Sequence, residues 1–111
     1  MAEMHPRQER RAKNESLFRN VNEQIADLRQ TLVASEPTHF VCECDDLGCK
    51  DRFVLAMSEY EHVRADPTTF VVVPGHEDPS VEEVIAERKG FNIVRKHPGA
   101  PARVATEDAP R

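Results

Sequence analysis

The chain has 111 residues, of which 39% are hydrophobic, 5% aromatic and 32% charged, with no Trp; that is the size of one domain, and its thin supply of large apolar side chains excludes a deep substrate cavity. The net charge of −5 argues against a chain whose main task is to neutralise nucleic-acid phosphates. Three cysteines form an odd set that disulfides cannot use up, and the polar opening stretch MAEMHPRQERRAKNES has neither a secretory core nor a membrane span, so a cytoplasmic protein with free or metal-bound thiols and no membrane partner is expected.

The first element is a helix from about Arg7 to Val33, a stretch without Gly or Pro that Pro6 opens and Ser35-Glu36-Pro37 closes. Phe18, Val21, Ile25, Leu28 and Leu32 recur at spacings of 3, 4, 3 and 4, the seam of a short coiled coil. That stripe either pairs with a protein partner or a second copy, or packs on the chain's own domain. Arg7, Arg10, Arg11 and Lys13 precede it, and Glu15 is placed to pair with Arg19 one turn on; the expected setting of this charge run is solvated helix surface.

Beyond Pro37 the period becomes that of strands. His39-Phe40-Val41-Cys42-Glu43-Cys44, the turn residues Asp45-Asp46-Leu47-Gly48, and Cys49 to Ala56 with its apolar Phe53-Val54-Leu55 predict a β-hairpin with cysteines at its tip. Ser58 and Glu61 form a capping box for a short helix that ends near Ala65, before Pro67. Thr69-Phe70-Val71-Val72-Val73 is an unbroken β-branched and aromatic run, predicting a strand buried on both faces, and Pro74-Gly75-His76 ends it in a tight turn. Val81 to Arg88 reads either as a helix, capped by Ser80 and Glu83, or as the first arm of a hairpin closed by Phe91-Asn92-Ile93-Val94; the hairpin is preferred. From His97 on, three prolines and few core residues predict a disordered tail. The expected fold is therefore α+β: a long N-terminal helix over 1–36, a small mixed domain of β-hairpins and one short helix over 37–97 around a zinc site, and a tail over 98–111. Phe40, Phe53, Leu55, Phe70, Val72, Phe91 and Ile93 are its expected core.

The chemistry concentrates in Cys42-Glu43-Cys44-Asp45-Asp46-Leu47-Gly48-Cys49. Residues two apart on a strand share a face, so Cys42 and Cys44 project together, and the intervening turn delivers Cys49 to the same point. A tetrahedral Zn2+ takes four ligands, and His76, in a Pro-Gly turn straight after the buried strand, is the first candidate for the fourth. His39 comes next, then Asp45 or Asp46. About 60 residues must fold compactly here, a size at which a metal or disulfide staple is commonly needed. The alternatives are an iron–sulfur centre on the same ligands, a metal-free redox pair of Cys42 and Cys44, and a small metalloenzyme with Glu77 as general base beside a metal-bound water. No phosphate loop, dinucleotide fingerprint or helical His-Glu-x-x-His pattern occurs, so no catalytic residues are assigned.

Asn14-Glu15, Leu17-Phe18-Arg19, Val21-Asn22-Glu23, Phe40-Val41-Cys42-Glu43-Cys44 with Cys49, Glu59-Tyr60-Glu61, Val63-Arg64, Pro67, Phe70 and Pro74-Gly75-His76 together resemble a family of small uncharacterised proteins of high-GC Gram-positive bacteria. The resemblance runs from about residue 10 to Lys96 and implies this architecture and a metal site, with no reaction attached. The expected function is that of a zinc-binding regulatory or adaptor protein working through its N-terminal helix. The competing one is nucleic-acid binding by a composite patch of Arg7, Arg10, Arg11, Lys13, Arg88, Lys89, Arg95 and Lys96.

Overall fold

The computed structural model describes residues 6–29 and 37–109. Its elements run α1 (Pro6–Arg29), β1 (Pro37–Val41), β2 (Arg52–Ala56), α2 (Met57–Arg64), β3 (Thr69–Val72), β4 (Glu82–Arg88), β5 (Phe91–Lys96) and α3 (Ala100–Glu107). Two small antiparallel sheets result, one of β1 and β2 and one in the order β3-β5-β4. The expected α+β class holds, as a helix followed by two sheets. The stretch 81–96 forms the hairpin rather than the helix, with an irregularity between Val84 and Ala86 that leaves Ile85 exposed.

All four residues of β3 are buried, because each face of the strand meets a different apolar cluster. Val71 joins Phe40, Phe53, Leu55, Met57, Tyr60, Phe91 and Ala26, where the rings of Phe40 and Tyr60 stack at 4.4 Å. Phe70 and Val72 join Val94, Ala105, Cys42 and Cys44. The expected core residues are all buried except Ile93, which packs against the first cluster half-buried.

Three expectations are corrected and one is narrowed. First, the stretch read as a disordered tail forms α3, with Ala100 and Ala105 each 3% exposed. Pro101 lies in its first turn, where a missing N–H costs nothing. Second, α2 starts at Met57 after Ala56, without a side-chain cap: burying Met57 in the core draws the helix start past Ser58, and Glu61 turns to Arg64 instead.

Third, the α1 seam, open to a partner or to the chain's own domain, packs on the domain only in part, through Ile25. Ala12, Glu15, Ser16, Arg19, Asn22, Glu23 and Ala26 are buried, whereas Leu17 (51%), Val21 (37%) and Leu28 (82%) are exposed. Phe18 and Ile25 are half-buried, and Leu32 lies outside the described residues. Fourth, Glu15 and Arg19 do not pair on a solvated surface. Arg19 donates to the carbonyls of Pro67 (2.6 Å) and Ala105 (2.8 Å) and lies 4.4 Å over the Phe70 ring. Glu15 joins Glu82 around the buried ammonium of Lys96. Burial raises the Glu15 carboxyl well above its usual range against the pull of Lys96. Burial alone would lower Lys96, but the two carboxylates hold it above the ordinary lysine value.

Candidate metal centre

The hairpin connection and the β3 turn meet at one end of the molecule. Cys42 follows the last residue of β1, and its N–H bonds to the Asp51 carbonyl at 3.0 Å, so pairing continues one step past the sheet before the chain opens into the turn. Asp46 shapes that turn: its Oδ1 accepts from Gly48 N–H at 2.8 Å and its carbonyl from Cys49 N–H at 3.0 Å, an Asx-turn that swings Cys49 back toward Cys42 and Cys44. On the other side, His76 N–H bonds to the Val73 carbonyl at 3.0 Å across Pro74 and Gly75. Gly75 has φ +92°, the left-handed value the third position of such a turn requires.

These two turns bring one ligand atom from each of Cys42, Cys44, Cys49 and His76 within 4.8 Å of one another. The His76 Nδ1 stands 3.6 Å from both Cys42 Sγ and Cys49 Sγ. A tetrahedron built on Zn–S and Zn–N bonds of ordinary length has sulfur-to-nitrogen edges of about 3.6 Å, so the four side chains can hold one ion. The other ring nitrogen, Nε2, faces Asp51 Oδ2 at 3.3 Å, the carboxylate–histidine arrangement that fixes tautomer and orientation in metal sites.

Backbone donors prepare the sulfurs for negative charge. Val73 N–H points to Cys42 Sγ at 3.1 Å, and the N–H groups of Asp46 and Asp51 favour the thiolates of Cys44 and Cys49. A hydrogen bond from Cys42 pushes the Cys44 thiol down to about 5, and the same pairing drives Cys42 far up. Cys49 is raised, first by burial. An ion that binds here must displace the protons the thiols carry. A cleft of about 400 Å³ lined by Cys44, Asp45, Asp46, His76, Asp78 and Arg11 opens the site to solvent, its carboxylates favouring the approach of a cation.

The alternative fourth ligands are directed elsewhere. His39 lies on the exposed face of β1, Asp45 pairs with Arg11 at 3.5 Å, and Asp46 is occupied in its own turn. Glu77, considered as a general base, accepts from Gly75 N–H at 2.9 Å. Of the composite basic patch, Arg10, Arg88 and Lys89 are exposed, and the others are engaged or lie outside the described side chains. Arg11 and Lys13 meet Asp78 and Asp108, Arg95 meets Asp66, Lys96 is 4% exposed, and the Arg7 side chain lies outside those described.

Sequence reasoning missed three residues that build the site. Asp51 carried no motif. Asn22 and Glu43 stand in the sequence only as members of longer motifs with no role of their own, although a strand that turns Cys42 and Cys44 to one side must turn Glu43 to the other. Glu43 is 1% exposed. It accepts from Tyr60 Oη (2.6 Å), Asn22 Nδ2 (2.8 Å) and Val71 N–H (2.9 Å), and burial raises its carboxyl against those bonds. Among the described residues, no helix is long and apolar enough to cross a membrane. No family model, curated protein or solved structure matches the chain.

Proposed function

We propose that the protein is a zinc-binding module whose metal is structural and whose activity lies in protein contacts, as a small cytoplasmic regulator or adaptor. The observation that carries this reading is the convergence of three sulfurs and one imidazole nitrogen within 4.8 Å, with the imidazole already held by Asp51. Four protein ligands complete a tetrahedron and leave no position for substrate. The spacing suits a single ion, whereas a cluster of several irons spreads its protein ligands farther apart. A redox pair needs reachable thiols, and Cys42 and Cys44 are each 2% exposed. Support for the contact role comes from Leu17, Val21 and Leu28, which α1 leaves exposed and which a partner helix or a second copy would cover.

The test is elemental analysis of anaerobically purified protein. One zinc per chain is expected, with loss of the metal in His76→Ala and Cys49→Ser. Zinc well below one equivalent in the unaltered protein, or stoichiometric iron in its place, would overturn the assignment.

A further inference from the structure

The segment from Val41 to Asp45 faces two ways. Its even members, Cys42 and Cys44, supply sulfurs to the cluster. Its odd members are bound by α1. Val41 exchanges two hydrogen bonds of 2.8 Å with the Asn22 amide, Glu43 accepts from the same amide at 2.8 Å, and the Asp45 carbonyl accepts from Asn14 Nδ2 at 3.0 Å. Arg11 then spans both halves of the site, 3.5 Å from Asp45 and 3.4 Å from Asp78, two residues beyond His76.

The docked face of α1 supplies little apolar adhesion. Of its buried residues only Ala12 and Ala26 are apolar, and Ile25 adds a half-buried contact with the first cluster, while Leu17, Val21 and Leu28 point away. The helix is held largely by directional bonds, which weaken steeply when an acceptor moves or tilts. Several of those acceptors belong to the segment that the metal fixes.

We propose that metal occupancy and the docking of α1 are thermodynamically coupled, the ion locking residues 41–45 in the one geometry that α1 can bind, so that loss of the ion releases the helix while the β3-β5-β4 sheet persists. This rests on the zinc reading above. Coupling is reciprocal: whatever factor the metal contributes to helix docking, docking contributes to metal affinity. Arg11, Asn14 and Asn22 are thus positioning residues for a site they do not touch.

The experiment uses the full chain. Zn2+ uptake is measured first, then hydrogen exchange by mass spectrometry on the loaded and chelator-stripped protein, and finally competitive zinc titration of Asn14→Ala and of the Arg11→Ala/Asn14→Ala pair. Exchange over residues 10–28 is expected to rise at least ~10-fold on stripping, with residues 69–72 and 91–96 still protected, and the paired variant to bind zinc ~10-fold more weakly, within the range of outer-shell changes at metal sites. The milder Asn14→Ala should shift both readouts in the same proportion. No zinc uptake would remove the metal reading and this proposal with it. Stoichiometric zinc with unchanged α1 exchange, uniform loss of protection across the chain, or variants of undiminished zinc affinity would overturn the coupling alone.

Discussion

Asn22 pairs with Val41 as a neighbouring strand would: its Nδ2 donates to the Val41 carbonyl and its Oδ1 accepts the Val41 N–H, both at 2.8 Å. A side-chain amide thus satisfies both backbone groups at the end of β1, and the helix becomes an edge of the sheet. Asn22→Leu leaves those groups and Glu43 without that partner, and should cost about 2–5 kcal/mol, since each orphaned buried group costs about 1–3 kcal/mol. Urea unfolding of the zinc-loaded variant checks it; a loss below 1 kcal/mol would show that water replaces the amide.

Lys96 lies between Glu15 and Glu82 with all three side chains at most 3% exposed. Lys96→Met strands two carboxylates beside each other and should destabilise the fold by about 3–5 kcal/mol. The pH signs follow. A lysine held above its usual value stabilises fully below the unfolded value of about 10.5 and loses that contribution as pH rises through its folded value, so the unaltered protein should weaken above about pH 10.5. In Lys96→Met the Glu15 carboxyl, already raised by burial, loses the pull of Lys96, so stability should recover as pH falls toward the unfolded carboxyl value of about 4.3. Melting curves of both proteins between pH 5 and 11 decide it.

Gly75 has open space around a Cβ and φ +92°, so substitution there isolates backbone strain from packing. Gly75→Ala should cost about 1–2 kcal/mol and weaken zinc binding by displacing His76. An unchanged midpoint in denaturant would mean the turn adopts another form freely.

Asp51→Asn keeps a hydrogen-bond acceptor for His76 Nε2–H but removes its charge. Zinc affinity should fall about 10-fold, at the low end for outer-shell partners, against near-complete loss in His76→Ala. Competition with a chelator of known affinity measures both.

Leu28 is 82% exposed, so Leu28→Glu should leave unfolding free energy within about 0.5 kcal/mol. Sedimentation or partner capture should nevertheless weaken if the α1 stripe is the contact surface, and identical behaviour would place the contact elsewhere.

Helix α3 shows why composition misled at the C-terminal end. Its stability comes from Arg19 donating to the Ala105 carbonyl, Lys13 binding Asp108 at 2.9 Å, and Ala105 filling the space beside Phe70 and Val94. None of these is local, so no window of sequence contains them.

What the sequence by itself determined were the features governed by short-range geometry. The alternation of Cys42 and Cys44, the Asp46-to-Gly48 turn, the Pro74-Gly75 turn before His76 and the apolar run of β3 each follow from local side-chain pattern or from residues with restricted φ, and together they bring Cys42, Cys44, Cys49 and His76 to one place. What only the tertiary structure decided was the use of polar residues. Glu15, Arg19, Asn22, Glu43 and Lys96 all carry the signature of solvated surface, yet each is under 9% exposed. A charged or amide group is buried only when partners from distant elements satisfy it, and those partners, Pro67, Ala105, Val41, Tyr60 and Glu82, are brought near only by folding. The heptad stripe of α1 is the converse case: local periodicity left it open to the domain or to a partner, and in the fold only Ile25 of it packs on the core, while the polar face supplies the directional bonds to the domain.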